Sequence, residues 1–496
     1  MTGRSGFDVV VVGGGAAGCV VAARLAETGS SVTLLEAGPD LRADPPADLS
    51  DGWTMTGDFD WGYTSEPNSF GTVRKVRRLK LLGGTSSLTR FALRGAPGDY
   101  DEWEALGNPG WGWEDVLPAL VGIEADADFG DEPWHGSSGP IPVDRYRDLD
   151  QTELLAVAVD ALQRAGFPSV DDHNRPGAVG VGRMPMSSSR GVRMTTAAAY
   201  LPVGGTPPNL AIRPDSQVAA VALDGARATG VRLIDGTIVP ADLVVLCGGT
   251  YGSPPILLRS GVGPAEHLRR VGIQVRLDLP GVGVNLADYP AILVDYGYRG
   301  PARASPQLHA VGTFHSAAAS SAGPPDLMFW LTDPEVPDDP PQFAVDVLLL
   351  KPSSRGSVRL RSDDPLDPPV IDLPNLREPS DVERLAEAYR LATEVGKDEA
   401  LRRLCSDPPT AAPAALDELF DLVRREARSI PHVVGTCAMG PSPEAGAVVD
   451  GSGRVHGTEG LYVVDASIMP TVPSGFTHLP TIMIAERLSK VIGARR

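Results

Sequence analysis

Residues 9–36 constrain the fold of this chain most strongly, because they combine a strand, a glycine turn, a helix and a second strand. Residues 9–12 are a continuous run of valines, as expected of a strand that is covered on both faces. We predict a helix over residues 16–27 and a second strand over residues 32–35, which Glu36 follows. Between the first strand and the helix lies the pattern G-x-G-x-x-G, formed by Gly13, Gly15 and Gly18.

Each part of this unit has a physical task in binding a dinucleotide. The first glycine allows a tight turn, the second lets the backbone approach a pyrophosphate, and the third lets the helix and strand pack closely. The N-terminus of the helix offers free N–H groups to phosphate oxygens. A carboxylate at the end of the second strand can accept hydrogen bonds from a ribose diol. The order of strand, turn, helix, strand and acid therefore predicts a dinucleotide-binding unit.

The size, charge and cysteine spacing of the chain narrow the classes of protein and of binding partner that the sequence allows. Its 496 residues exceed the usual size of one hydrophobic core, so we expect two domains or one domain with large insertions. The 44 Lys and Arg against 63 Asp and Glu give a net charge of −19, which should repel nucleic acid and anionic membranes. None of the four cysteines forms a CxxC pair, so we expect neither a metal site nor a dithiol redox centre. Apolar runs too short for an integral membrane segment, and a first strand too early for a signal peptide, favour a cytoplasmic protein.

The segments that look like parts of a nucleotide-binding domain are separated along the sequence. Between them, strand-like runs alternate with proline-rich connectors and helical stretches. We therefore predict an α/β fold with a discontinuous Rossmann-like domain over residues 1–150, 190–289 and 432–496. An inserted α+β domain, built on an antiparallel sheet, is expected mainly over residues 151–189 and 290–431 and should bind the substrate.

Seven further segments share their motifs, in the same order, with one family of enzymes. They are DWGYTSEP (60–67), LLGGTSSL (81–88), RGAPGDYDEWEALGNPGWGWEDVLP (94–118), GVGVNLADYP (281–290), HVVGTCAMG (432–440), VVDASIMPTVPSG (463–475) and PTIMIAERL (480–488). Together with the glycine turn, they resemble the glucose–methanol–choline (GMC) family of flavin oxidoreductases over nearly the whole chain. The mycofactocin-associated branch is one subfamily to which the chain is similar.

The resemblance implies FAD as the resident cofactor. No residue aligns with the histidine that links the flavin covalently in some relatives, so the resemblance implies non-covalent FAD. By this resemblance, the ADP half is held by Gly13, Gly15, Ala16, Ala17, Gly18, Glu36 and Ala37, and the backbone of Val218 meets the adenine. The residues implied near the flavin and the chain that carries it are Gly83, Gly84, Ser86, Asp465, Ala466, Thr477 and His478.

The resemblance also implies a catalytic base. His432 matches the histidine of the family that takes the hydroxyl proton while a hydride passes to flavin N5, and an imidazole suits this task because its ordinary pKa lies near 6.5. The family usually has a second His or Asn, but an alignment without a gap places Phe476 there, and phenylalanine cannot bond to an alcoholate. His478 could serve instead if the loop shifts. Phe476 and Arg90 are therefore expected to line the substrate site, either beside a lone His432 or beside a pair of histidines.

The leading function is FAD-dependent oxidation of an alcohol, with a small-molecule alcohol or a carrier-type cofactor as the substrate. The sequence leaves open whether oxygen or a dedicated acceptor takes the electrons, and hence whether the enzyme is an oxidase or a dehydrogenase. A flavin-containing lyase and a non-catalytic flavin protein are further alternatives. A relative of the light-driven fatty-acid decarboxylases is disfavoured, because Leu350 and Lys351 stand where those proteins have Cys-Arg.

Overall fold

The fold is built around two large sheets that share one large hydrophobic core. The computed structural model describes residues 8–50, 58–298, 300, 308–333, 343–374, 376–405 and 411–494. The first sheet is parallel and contains, in spatial order, Leu210–Arg213, Ser31–Leu35, Asp8–Val12, Leu243–Leu246 and Leu461–Val463. None of the helices in the part that the structure describes has the length and apolarity that a bilayer span requires.

The glycine-turn unit folds as its sequence pattern predicts. Strand Asp8–Val12 lies in the middle of the parallel sheet, and four of its five residues are buried, as a run of valines requires. Helix Ala16–Glu27 follows and packs against the last helix of the chain, His478–Gly493. Strand Ser31–Leu35 then pairs in parallel with the first strand.

The second sheet is antiparallel and has six strands. In spatial order they are Arg428–Val434, Ala287–Asp295, Ala344–Leu349, Leu327–Thr332, His309–Phe314 and Gly180–Arg183. The predicted fold class, a Rossmann-like α/β domain with an inserted domain on an antiparallel sheet, is confirmed. The predicted domain boundaries after residues 289 and 431 both fall inside strands of this sheet, so that His432 lies on one of its edge strands.

Smaller elements connect and cover the two sheets. A three-stranded antiparallel sheet is formed by Val218–Asp224, Arg227–Leu233 and Ile238–Pro240. Two-stranded pairs are Tyr63–Thr64 with Lys75–Val76, Glu124–Asp126 with Ile141–Val143, Ser188–Ser189 with Val192–Arg193, Val262–Gly263 with Leu277–Asp278, and Ser357–Arg359 with Val370–Asp372. The remaining helices are Ala47–Ser50, Pro97–Ala105, Trp113–Ile123, Glu153–Arg164, Thr196–Tyr200, Gly249–Arg259, Ala265–Arg270, Pro379–Val395, Glu399–Leu404 and Leu416–Glu426, with 3-10 turns at Gly84–Ser87, Pro443–Ala445 and Ala466–Ile468.

A buried cluster of charged side chains connects the segment around residue 172 with residues that precede position 150. His135 lies between Glu124 Oε1 (2.7 Å from Nδ1) and Asp172 Oδ2 (2.9 Å from Nε2). Arg145 bonds to Asp126 and Asp172, each at 2.9 Å. Burial alone would lower the pKa of His135, but its hydrogen bonds to the two carboxylates outweigh burial and raise that pKa.

The same cluster contains three groups whose spacing would suit a metal ion, since ligand atoms of Glu124, Asp126 and His135 lie within 4.8 Å of one another. These groups already have partners of opposite charge or hydrogen-bonding partners, however. The carboxylates of Glu124, Asp126, Asp128 and Asp172 face His135 and the guanidinium groups of Arg94 and Arg145. The cluster is therefore an ion-pair network, whose members depend on one another because each is desolvated.

Replacing His135 by glutamine should lower the free energy of unfolding by about 3–5 kcal/mol, because two buried carboxylates lose their shared cation. Lys397→Gln is the control, since its pair with Glu394 is exposed and should contribute less than about 1 kcal/mol. The pKa of His135 is raised in the folded state. The loss of unfolding free energy in His135→Gln should therefore be complete below the pKa of the unfolded state and should shrink as the pH rises through the folded pKa. Urea unfolding at several pH values measures it, and a loss independent of pH would contradict this role.

Candidate active site

A cavity of about 730 Å³ lies at the carboxyl ends of the parallel strands and extends to the edge of the antiparallel sheet. Its lining includes Val12, Leu35 and Cys247 at the ends of three parallel strands, and His432 on the antiparallel sheet. The volume falls within the ~300–1,000 Å³ typical of small-molecule sites. Crevices at the carboxyl ends of parallel strands are where open α/β sheets bind ligands.

The glycine turn has open space for a ligand beside one of its glycines, and the other two lie tightly against neighbouring backbone. A Cβ on Gly13 (φ +95°) would stand 2.6 Å from the carbonyl oxygen of Cys247, and a Cβ on Gly18 would stand 1.8 Å from that of Gly13. A Cβ on Gly15 would meet nothing within 4 Å. Gly15 caps the first helix with no side-chain hydrogen bond, so the N–H groups of this helix end face open space beside Ala16 and Ala17.

Glu36 lies at the far end of this turn, where the cavity passes the second strand. Its Oε2 accepts a hydrogen bond from the backbone N–H of Gly14 (2.7 Å), and its Oε1 accepts one from Gly38 (2.9 Å). Each carboxylate oxygen keeps a further lone pair for a ligand hydroxyl. Burial raises the pKa of Glu36 to about 7. Ala37 and Val218 line the same end of the cavity.

The loop that begins at Gly83 packs directly against the glycine turn. The N–H of Gly83 donates to the carbonyl of Gly14 (2.7 Å), and a Cβ on Gly84 would stand 2.9 Å from Gly15 Cα. Ser86 Oγ bonds to the carbonyl of Gly83 (2.6 Å) and to Thr196 Oγ1 (2.9 Å). Gly84 and Ser86 line the cavity, whereas Gly83 and Gly18 are absent from its lining and shape the backbone around it.

Asp465 organises the backbone next to this loop. Its Oδ2 accepts from Ser253 Oγ (2.6 Å) and from the N–H of Gly249 (2.8 Å), while its Oδ1 accepts from Ser467 (2.8 Å). Burial raises the pKa of Asp465. Ala466 lines the cavity beside it, as do residues 248–252 at the start of helix Gly249–Arg259, which sequence reasoning did not assign to the site. The glycines after the strand Leu243–Leu246 were the available signal for these residues.

His432 stands at the opposite end of the cavity from Glu36. Its backbone N–H donates to Asp288 Oδ1 (2.9 Å), and its Nδ1 is buried without a hydrogen-bond partner among the residues that the structure describes. Burial, with smaller contributions from Arg78 and His478, lowers the pKa of His432 to about 3. The imidazole is therefore neutral at pH 7 and able to accept a proton.

Phe476, rather than His478, packs against the ring of His432, with ring centroids 4.5 Å apart. Both His478 and Phe476 line the cavity, so the structure brings all three predicted side chains to one end. His478 is buried, its Nε2 has no hydrogen-bond partner in the described part of the chain, and burial lowers its pKa to about 4. It is the first residue of the last helix, and Thr477 caps that helix without a side-chain bond. The positive end of a 16-residue helix therefore faces the cavity.

Two aromatic residues that sequence reasoning did not assign extend Phe476 into a wall. Phe91 and Trp330 lie 4.9 Å apart between ring centroids, and they lie 5.2 and 5.9 Å from Phe476. All three line the cavity. The guanidinium of Arg90 also lines it, lies over the ring of Phe91 at 5.8 Å, and is buried. The end of the cavity beside His432 is therefore lined largely by aromatic rings, with the guanidinium groups of Arg78 and Arg90 nearby.

A second group of unassigned residues lines the cavity where it passes the parallel sheet. The rings of Trp61 and Tyr63 are stacked 5.6 Å apart, and the Lys80 ammonium lies 4.8 Å from the Trp61 ring. Arg78 lies 5.0 Å from the ring of Tyr251, whose buried hydroxyl has no hydrogen-bond partner within the described ranges. Trp61 and Tyr63 belong to the DWGYTSEP motif quoted above, so that motif was the available signal.

These features together fit FAD. The open space above Gly15, the free helix N-terminus and the carboxylate of Glu36 suit a pyrophosphate and a ribose. The unpartnered buried polar atoms of Tyr251, His432 and His478 all belong to residues that line one continuous cavity. A long cofactor with polar groups at both ends would give such atoms partners.

Comparison with known proteins decides the family. Sequence models described as GMC oxidoreductase match residues 7–291 with their N-terminal part and residues 352–485 with their C-terminal part. The chain belongs to the GMC oxidoreductase family. It is an FAD-dependent alcohol oxidoreductase, and the predicted family and enzyme class are confirmed.

Relatives of this GMC oxidoreductase match it over its whole length. The 5-(hydroxymethyl)furfural oxidase of Methylovorus sp. (strain MP688) is 37% identical, with 98% of both chains covered. An oxygen-dependent choline dehydrogenase of Stenotrophomonas maltophilia (strain R551-3) is 33% identical over 100% of this chain and 96% of its own. Among solved structures, pyridoxine 4-oxidase from Mesorbium loti has a TM-score of 0.90 at 29% identity, with 99% of both chains covered.

Proposed function

We propose that this enzyme oxidises a flat, largely apolar alcohol, with His432 as the base that takes the hydroxyl proton. The observation that carries the proposal is the position of a neutral imidazole between the aromatic wall and the rest of the cavity. Bound FAD would supply the hydride acceptor, at its N5 atom. Gly13, Gly15, Glu36, Gly84, Ser86 and Asp465 would hold it, without a covalent bond.

His432 acts through the ring nitrogen that can reach a substrate. Nδ1 is buried and has no partner, so we assign the uptake of the proton to Nε2. The low pKa of His432 keeps this nitrogen unprotonated, and a substrate oxygen that becomes negative would raise that pKa as the proton moves. The adjacent ring of Phe476 excludes water from the imidazole and the substrate oxygen, and it offers no competing hydrogen bond.

The aromatic wall supports a flat substrate. Phe91, Trp330 and Phe476 present ring surfaces that bind planar apolar groups better than small polar ones. The relatives named for their substrates include proteins that act on 5-(hydroxymethyl)furfural and pyridoxine, both of which are alcohols on an aromatic ring. A carrier-type cofactor with an aromatic alcohol would fit the same description.

Oxygen is the electron acceptor that the relatives favour, since their names include two oxidases and an oxygen-dependent dehydrogenase. The proposal is tested by mixing the flavin-loaded enzyme anaerobically with benzyl alcohol, 5-(hydroxymethyl)furfural, choline and ethanol, and then with air. Loss of flavin absorbance with the aromatic alcohols supports the proposal, and fast recovery in air supports an oxidase. Slow recovery would favour a dehydrogenase with a dedicated acceptor. An enzyme that no alcohol reduces would instead be a lyase or a non-catalytic flavin protein.

Lys351, at the position that distinguishes photodecarboxylase relatives, has a structural role in this chain. Lys351 Nζ donates to Asp99 Oδ1 (2.9 Å), Glu102 Oε2 (2.8 Å) and the carbonyl of Val472 (2.9 Å). A lysine that is bonded to two carboxylates and absent from the cavity lining has no part in decarboxylation. This observation favours alcohol oxidation over that alternative.

Phe476→Asn is expected to shift the preference from aromatic towards small polar alcohols. The asparagine amide could bond to an alcohol oxygen, while the lost ring contact should weaken aromatic substrates by about tenfold in kcat/KM. The measurement is the ratio of kcat/KM for benzyl alcohol to that for ethanol. Phe91→Leu is the control, because it removes a ring from the wall without adding a polar group. An unchanged ratio in Phe476→Asn would show that the wall does not select the substrate.

A further inference from the structure

Two adjacent residues, Asp288 and Tyr289, lie behind His432 on the neighbouring strand. We propose that they are positioning residues that fix His432 and the loop before Phe476 relative to each other. The inference rests on the proposed function, because it concerns the geometry of the base and the wall that faces it. Both side chains are buried, with exposed fractions of 2% and 0%.

Asp288 holds the backbone of His432 where the sheet itself does not. In the pairing of Ala287–Asp295 with Arg428–Val434, Ala287 faces Val434 and Tyr289 faces Ile430, with an irregularity between them. His432 lies opposite this irregularity and has no register partner. The carboxylate of Asp288 takes the place of a backbone carbonyl there, accepting the N–H of His432 (2.9 Å) and that of Tyr289 (2.9 Å). Its Oδ2 also accepts from the hydroxyl of Ser429.

Tyr289 makes the second connection. Its hydroxyl donates a shared hydrogen bond to the carbonyl oxygens of Pro473 and Gly475, and Gly475 directly precedes Phe476. The edge of its ring also contacts the imidazole of His432, with centroids 5.6 Å apart at 84°. Burial raises the pKa of Tyr289 well above its usual range, so the hydroxyl stays a donor. One side chain thus touches both segments that the proposed reaction needs.

The two connections together set the distance between the imidazole of His432 and the aromatic ring of Phe476. His432 is tied through its backbone to Asp288, and the loop before Phe476 is tied through its carbonyls to Tyr289. Since the two residues are neighbours on one strand, a movement of either segment must break a buried hydrogen bond. Because small displacements of reacting groups have large effects on rate, loss of one tie should lower kcat more than it affects cofactor binding.

The test removes one hydroxyl group. Tyr289→Phe in the flavin-loaded enzyme should slow anaerobic flavin reduction by benzyl alcohol by roughly 10- to 100-fold, with unchanged flavin content. Tyr296→Phe is the matched control, because it removes a buried hydroxyl that bonds to the carbonyl of Ala392 (2.7 Å) away from the cavity. It should lower Tm similarly and leave the rate unchanged.

A double-mutant cycle separates positioning from general stability. If Tyr289 acts through His432, adding Tyr289→Phe to His432→Gln should cause almost no further loss of rate, whereas independent effects would multiply. Multiplicative losses, flavin release from Tyr289→Phe, or equal losses in Tyr296→Phe would overturn the inference. If His432→Gln alone has no effect, the proposed function fails. If only Tyr289→Phe has no effect, this inference alone fails.

Discussion

Replacement of His432 by glutamine is expected to slow alcohol-dependent flavin reduction by about 10²- to 10⁴-fold, the usual contribution of a positioned general base. The variant cannot accept a proton, but it keeps the backbone N–H that bonds to Asp288. The substitution leaves the glycine-turn end of the cavity unchanged, so FAD should remain bound with an unchanged visible spectrum. The loss should appear in the rate and not in the flavin content.

The measurement is stopped-flow reduction with benzyl alcohol under anaerobic conditions. His456→Gln is the matched control, because His456 bonds to the carbonyl of Gly440 (3.1 Å) and does not line the cavity. His478→Gln in the same assay distinguishes a lone base from a pair, and we expect it to lose less, because Phe476 is the residue that packs on His432. A His432→Gln rate within threefold of the unchanged enzyme would remove this residue from the mechanism.

Gly15→Val is expected to abolish FAD binding while the protein still folds. The backbone at Gly15 (φ −80°, ψ −160°) is extended and open to any residue, and an added Cβ meets no protein atom within 4 Å. The valine side chain would occupy the space assigned to the pyrophosphate. Overpacking of this kind costs ~1–3 kcal/mol or more, and we expect FAD to bind at least about 100-fold more weakly.

The control for this variant is Gly122→Val, at an exposed glycine that also has nothing within 4 Å and lies on helix Trp113–Ile123, away from the cavity. Fluorescence titration with FAD gives the affinity, and circular dichroism gives the fold. Gly18→Val is a second comparison: its Cβ would stand 1.8 Å from the carbonyl of Gly13, so it should fail to fold. A Gly15→Val protein that keeps stoichiometric flavin would show that the cofactor lies elsewhere.

Local sequence patterns were sufficient to predict the local fold at the glycine-turn end of the cavity. The valine run, the glycine spacing and Glu36 act over fewer than 30 residues, and their geometry follows from strand, turn and helix rules. Helix Ala16–Glu27 has the predicted bounds, and the first two strands begin one residue earlier than predicted. Glu36 bonds to Gly14 because the second strand runs parallel to the first, which the βαβ order requires.

The substrate end could not be predicted in the same way. Phe91 and Trp330 meet Phe476 only because the tertiary fold brings together segments more than 100 residues apart. The bond from His432 to Asp288 depends on an irregularity in strand pairing, which no local pattern reveals. The sequence left open whether Phe476 or His478 faces His432. In the folded chain the ring of Phe476 packs on that of His432, and His478 lies close enough to contribute to lowering the pKa of His432.

The central claim is that a C–H hydride leaves an alcohol for a flavin held beside His432. It is tested most directly by anaerobic stopped-flow reduction with benzyl alcohol and with its α-dideuterated form. Our account predicts loss of flavin absorbance at a rate that falls several-fold with the deuterated alcohol, and that falls again in His432→Gln. A flavin-loaded enzyme whose absorbance neither alcohol changes, or changes at a rate independent of deuteration and of His432, would contradict it.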